Sequence, residues 1–300
     1  MALAAREKVH FVSGGTRCAA WHYPGDGRGC LVMGGGLGVI KEAATDPLAK
    51  RFQDAGYGVL AFDFRRLGES GGRPRQIARI GEQQADWQAA IEFAETLPGA
   101  ETGRVAIWGF SLSGGHVFKV AARTPGLAAA IAHAPLADGV AVTPNALRHQ
   151  SAGAALRLTG RALADTLGGL AGREPLLVPL AAPEGTVASI STPDALNGEG
   201  ALNPGGRYPE WQKEIAARSA IRLGFYRPGR HASRVRCPLL VLVQEHDGVT
   251  PPGPAARAGR RAPRGEVVEL PGGHYGAFLD QHEQAVDAML DFLGRHLAAP

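Results

Sequence analysis

The sequence predicts an α/β protein: a mostly parallel sheet of about eight strands, helices on both faces, and an inserted helical lid. Three observations predict it. Short apolar runs without clean polar alternation recur along the chain, as expected of strands buried on both faces. Helical stretches separate these runs, a rhythm that builds parallel strand–helix–strand units. The rhythm then breaks between about Asp138 and Ser233, where Pro-rich stretches such as Pro175 to Pro183 and Pro204 to Pro209 make the pattern irregular.

Taken in order, Val9 to Val12 and Cys18 to Tyr23 flank the turn signal Ser13-Gly14-Gly15 and read as a hairpin. The apolar run Cys30 to Met33 leads into Gly34-Gly35-Gly36-Leu37-Gly38, followed by a helix from about Pro47 to Ala55 and a strand at Gly58 to Phe62. Ile77, Ile80, Trp87 and Ile91 recur at helical spacing and mark one helix face. A strand at Val105 to Trp108 and a helix at Leu112 to Ala122 come next, then strands at Leu127 to His133, Leu239 to Val243 and Val267 to Leu270. Val286, Met289, Leu290, Leu293 and Leu297 close the chain as an amphipathic helix. Within the irregular region, helix-like pieces lie around Ala146 to Arg157, Arg161 to Leu170 and Trp211 to Leu223. The reading divides the chain into a core of residues 1–137 and 234–300 and a lid of residues 138–233.

A chain of 300 residues suits one large domain with such an insertion. Its 45% hydrophobic and 20% charged residues are ordinary globular usage, which excludes a disordered or fibrous chain. Net charge is +4, and the one arginine cluster, Arg257, Arg260, Arg261 and Arg264, has the spacing of a solvated helix face, so no nucleic-acid partner is expected. The cysteines Cys18, Cys30 and Cys237 are scattered and odd in number, which indicates neither a disulfide framework nor a metal site and fits a reducing compartment. Arg6, Glu7 and Lys8 stand where a leader between Met1 and Val12 would need apolar residues, and no apolar run long enough to span a membrane follows. The expectation is a cytoplasmic protein with no membrane partner and no cofactor; the oligomeric state is left open.

The segment that carries chemistry is Gly109-Phe110-Ser111-Leu112-Ser113-Gly114-Gly115, between the strand ending near Trp108 and a helix. A nucleophile on such a sharp turn needs small residues two before and two after it, which Gly109 and Ser113 provide around Ser111. Ser113 is also flanked by small residues, but Ser111 follows the strand directly whereas Ser113 already lies in the helix. A serine hydroxyl needs an oriented base. His274, in the glycine-bounded loop Pro271-Gly272-Gly273-His274-Tyr275-Gly276 after the last strand, is the expected base. Asp247, just past the strand Leu239 to Val243, is the expected acid, with Glu245 as its rival. His246 lies too close in sequence to Asp247 to be oriented by it. The oxyanion of acyl transfer requires two backbone donors, expected at Leu112 and at Leu37. Gly34 to Gly38 lacks the spacing of a nucleotide-binding loop.

These residues resemble the α/β-hydrolase superfamily over nearly the whole chain outside the lid, and the order Ser, Asp, His agrees with it. Asp63-Phe64-Arg65-Arg66-Leu67-Gly68-Glu69-Ser70 looks like the turn after the fourth strand there. Gly109 to His116 with Gly273-His274-Tyr275 is similar to the dienelactone-hydrolase-like branch, which includes acyl esterases, thioesterases and polyketide-releasing or polyketide-transferring enzymes. Dienelactone hydrolases themselves carry cysteine where Ser111 stands, so that activity is not implied. Gly35-Gly36 stands where many members have His-Gly. The resemblance implies hydrolysis of an ester or thioester of a small, largely apolar acyl substrate through an acyl-enzyme. An acyltransferase using the same intermediate, or a non-catalytic receptor on this fold, are the alternatives. Leu147, Leu156, Leu163, Leu167, Trp211, Phe225 and Tyr226 are apolar lid residues, and Trp211, Phe225 and Tyr226 in particular are expected to line the substrate pocket.

Overall fold

A computed structural model of the chain describes residues 5–98, 100 and 104–297. The leader reading at Met1 to Val12 therefore lies partly outside the described residues. The strands of the main sheet are β1 (Glu7–Ser13), β2 (Thr16–Tyr23), β3 (Cys30–Gly34), β4 (Gly58–Phe62), β5 (Val105–Phe110) and β6 (Ala129–His133). After a long intervening segment come its last two, which are numbered below in chain order. The helices on this first half are α1 (Lys41–Asp54), α2 (Ile80–Ala94) and α3 (Leu112–Ala121). The intervening segment holds α4 (Gly139–Arg148), α5 (Ala152–Leu170), β7 (Leu177–Pro179), α6 (Gly198–Leu202), β8 (Glu214–Ala216) and α7 (Ala217–Leu223). The chain then returns with β9 (Leu239–Gln244), α8 (Pro252–Arg261), β10 (Gly265–Leu270) and α9 (His282–His296).

The main sheet has eight strands in the order β1-β2-β4-β3-β5-β6-β9-β10, as the sequence predicts. β2 runs antiparallel to β1 and β4, and the remaining pairs are parallel. Every residue of β3, β4, β5, β6 and β9 is buried, which explains why these strands read as unbroken apolar runs. One face packs against α1 and α9 through Phe52, Met289, Phe292 and Leu293, and the other against α2, α3 and α8 through Trp87, Ile91, Phe118 and Ala258. Strand order reverses between β3 and β5: the chain goes outward from β3 to β4, then returns to place β5 on the other side of β3. The crevice at the C-terminal ends of these two strands is where open α/β sheets bind ligands.

Helix boundaries depart from expectation where partners come from elsewhere in the chain. α1 starts at Lys41 and encloses Pro47, because the Lys41 N–H donates to Oδ1 of Asp63 at 2.7 Å and this distant carboxylate caps the first turn. Ile77 is buried but precedes α2. In the intervening segment the expected helix Ala146 to Arg157 is interrupted, because the Ser151 side chain accepts the N–H of Ala154 and starts α5 afresh. The expected piece Arg161 to Leu170 is the second half of that helix. Only the last turns of the expected helix Trp211 to Leu223 form, since Glu214–Ala216 pairs antiparallel with Leu177–Pro179 in a second, two-stranded sheet. The segment leaves and rejoins the core at adjacent points: Gly139 N–H donates to Tyr226 O at 2.7 Å and Gly229 N–H to Ala137 O at 2.8 Å. Among the described residues, no helix is long and apolar enough to cross a membrane.

Candidate active site

β5 delivers Ser111 to the crevice. The turn into α3 is so tight that Ser111 has φ 58° and ψ −115°, a conformation L-residues adopt at a cost. A Cβ at Gly109 would collide with the carbonyl of Ser113, so this approach of strand to helix requires glycine there. The turn is fixed by Ser111 N–H donating to His133 O at 2.9 Å, and by Ser111 O accepting the N–H groups of Gly115 and Leu136.

His274 follows β10 and is buried, with its ring 4.9 Å from that of Phe110. Its Nε2 lies 3.0 Å from Ser111 Oγ and its Nδ1 2.8 Å from Asp247 Oδ2. A carboxylate only accepts, so Nδ1 carries the proton and Nε2 faces the serine hydroxyl as an acceptor. Asp247 is buried after β9 and its Oδ1 accepts the N–H groups of Val249 (2.9 Å) and Thr250 (2.6 Å). The Thr250 hydroxyl stands 2.8 Å from Asp247 Oδ2 and 2.9 Å from Ala134 O, linking this carboxylate to the end of β6. Thr250 was not singled out from the sequence. Its place three residues after an aspartate, in Asp247-Gly248-Val249-Thr250, is the signal for such a side-chain-capped turn. The rivals stand elsewhere: Glu245 and His246 are exposed, and Ser113 is buried inside α3, its hydroxyl beside Gly34.

Leu112 opens α3, where the first N–H groups have no partner within the helix and point toward incoming negative charge. Opposite it, the loop after β3 approaches so closely that a Cβ at Gly36 would stand 3.3 Å from that of Ser111. Leu37 and Leu112 line the same cavity as Ser111.

That cavity has a volume of about 520 Å³ and lies between the core and the intervening segment. Leu147, Leu158, Ile190, Ile221 and Phe225 supply much of its wall, threonines and serines are its polar residues, and among the described residues no charged side chain lines it. Phe225 is exposed at its rim. Trp211 and Tyr226, which the sequence reading expects in a pocket wall, are not among the residues lining this cavity. The Trp211 indole is drawn away by donating its Nε1–H to Gly38 O at 2.8 Å, beneath the Leu37 loop. The Tyr226 hydroxyl is held 2.8 Å from His116 Nδ1 and 3.1 Å from Gln84 Nε2. Burial, with a smaller contribution from Lys119, pushes His116 down to about 3, so it is neutral in that network. Leu156, Leu163 and Leu167 point outward from α5 and are exposed. Among the described residues no cluster of three His, Cys, Asp or Glu has the arrangement of a metal site.

The model of the alpha/beta hydrolase family matches residues 20–288. The chain belongs to the alpha/beta hydrolase family. Among curated relatives, this hydrolase is 36% identical over 296 residues to the quorum-quenching protein AidA of Acinetobacter baumannii, covering 96% of this chain and 94% of AidA. It is 30% identical over 184 residues to the polyketide transferase GrgF of a Penicillium species, covering 61% of this chain and 60% of GrgF. The crystal structure of GrgF superposes with a TM-score of 0.79 at 24% identity, covering 98% of this hydrolase and 99% of GrgF, a likeness of fold.

Proposed function

We propose that this alpha/beta hydrolase cleaves an ester or thioester of a largely apolar acyl substrate through Ser111, His274 and Asp247. The observation that carries the reading is the unbroken hydrogen-bonded chain from Ser111 Oγ through His274 to Asp247, opening into a cavity that no charged side chain among the described residues lines. As His274 Nε2 takes the hydroxyl proton, Ser111 Oγ bonds to the acyl carbon and the carbonyl electrons move onto oxygen. The Leu37 and Leu112 amides would receive that oxyanion, each donor being worth about 10²–10³ in rate. Collapse expels the alcohol or thiol, which takes the proton from His274. Water then attacks the acyl-serine with the same histidine as base, releasing the acid and restoring the serine. Asp247 holds the imidazole tautomer and stabilises the imidazolium. In this reading residues 138–233 act as a lid over a core of residues 1–137 and 234–300, and the substrate's acyl chain lies between them.

A second reading replaces water by an alcohol or amine acceptor. The name of the relative GrgF, a polyketide transferase, favours it. The test has two arms. Intact protein is expected to label with a fluorophosphonate and Ser111→Ala is not; absence of labelling in the intact protein would overturn the catalytic reading in favour of a receptor. Nitrophenyl esters and acyl thioesters of increasing length, run with and without competing alcohols and amines, separate hydrolysis from transfer by the product formed.

A further inference from the structure

One carboxylate of the intervening segment reaches both loops that carry the proposed base and acid. Asp194 stands in a 3-10 turn, Pro193–Asn197, yet its Oδ2 accepts the N–H of Gly248 at 2.8 Å and the N–H of His274 at 3.2 Å. A single oxygen therefore ties the peptide after Asp247 to the backbone of His274, between the loops that follow β9 and β10. The glycines beside it fit this role. A Cβ at Gly248 would stand 2.8 Å from Asp194 Oδ1, and one at Gly273 would stand 3.2 Å from the Asp194 Cβ. Neither glycine has a positive φ, so the absence of a side chain makes room for Asp194 and serves no backbone conformation. The Gly248 peptide is gripped from its other side as well, since Asn145 Nδ2 of α4 donates to Gly248 O at 2.7 Å. The helix that follows this turn is seated on the residue after His274: α6 starts at Gly198, where a Cβ would stand 2.8 Å from the Tyr275 hydroxyl.

We propose that Asp194 is a positioning residue, and that it makes alignment of Ser111, His274 and Asp247 depend on the seating of the segment that covers the cavity. The inference rests on the assignment of those three residues as the triad. Asp194 touches no reacting atom; it acts by setting where the His274 backbone lies relative to Asp247. A cover seated over bound substrate holds the His274 ring in line between acid and nucleophile, and a displaced cover withdraws the oxygen that joins the two loops. Alignment errors of about 1 Å cost on the order of a hundredfold in rate, so a tie of this kind acts on kcat.

The test uses the full chain, a short nitrophenyl ester that leaves most of the acyl cavity empty, and fluorophosphonate labelling. Asp194→Ala is expected to lower kcat and the labelling rate by about ten- to a hundredfold with KM within about twofold. Asp194→Asn keeps an oxygen that accepts the same two N–H groups and is expected to restore most of the rate. Asn145→Ala, which releases the other side of Gly248, is expected to lower kcat about threefold or more, and it carries the test if Asp194→Ala does not fold. Unchanged kcat in the variants that fold, a loss confined to KM, or failure of Asp194→Asn to recover the rate would overturn the positioning role. If the wild-type chain does not label at all, the triad assignment falls and the role of Asp194 falls with it. If the wild type labels and Asp194→Ala labels equally fast, only Asp194 is misassigned.

Discussion

At Ser111 the backbone and the hydroxyl make opposing demands. A positive φ at a residue with a Cβ costs of order 1–3 kcal/mol, and the same turn lifts Oγ out of the helix to face His274. Ser111→Ala and Ser111→Gly both remove the hydroxyl, so their difference isolates the Cβ. Ser111→Gly is expected to be more stable than Ser111→Ala by about 1 kcal/mol in urea unfolding, after allowing for the larger entropy of glycine in the unfolded chain. For the proposed acid, burial separates the candidates that sequence position left close together. Asp247 is enclosed by two backbone donors and Thr250, whereas Glu245 faces solvent. Asp247→Asn is expected to lower kcat about 10⁴-fold by disturbing the histidine tautomer, and Glu245→Gln to leave kcat within about twofold. The choice between them was not available from spacing alone, because it depends on which side chain turns inward after β9.

Strands and helices differ in how far the sequence exposes them. Gly58–Phe62 and Leu239–Gln244 are legible because both faces are covered and the apolar run ends within one residue of the strand end. The start of α1 is not legible, since its cap is Asp63, more than twenty residues away. The pairing of Leu177–Pro179 with Glu214–Ala216 leaves no periodic signal in three-residue strands. Trp211 shows the same limit at a functional element: its size and place among apolar residues suggested a pocket wall, but its indole N–H supports the loop of Gly36 to Gly38. Trp211→Phe replaces the indole by a smaller ring and removes that bond. It is expected to lower kcat about tenfold, with KM nearly unchanged and a stability loss of about 2 kcal/mol from the lost bond and the space left in a buried site, read by steady-state kinetics beside thermal unfolding.

The cavity belongs to the molecule as a whole, since neither the core nor the intervening segment encloses it alone. Ser111 and Leu37 come from the turns after β5 and β3, Leu112 from the start of α3, and Ile190 and Ile221 from the intervening segment, and their meeting depends on contacts across distant parts of the chain. This is why Ser111 and His274 could be singled out from local motifs, whereas the cavity wall could not. Ile221→Trp is expected to fill part of the cavity. In assays with nitrophenyl esters of graded length, kcat/KM should fall more than about tenfold for long acyl chains and less than about threefold for acetate.

The two hydrogen bonds at the neck, Gly139 N–H to Tyr226 O and Gly229 N–H to Ala137 O, bring the ends of the intervening segment together. A stretch of chain whose ends meet behaves as a cassette, because its length and contents can change without shifting the strands on either side. Under the proposed function, selectivity can then diverge by exchange of the cassette while Ser111, His274 and Asp247 stay in place. Under the role proposed for Asp194, that freedom has a condition: each replacement must supply an acceptor to the backbones of Gly248 and His274, so heredity of the chemistry extends into the part of the chain most open to change.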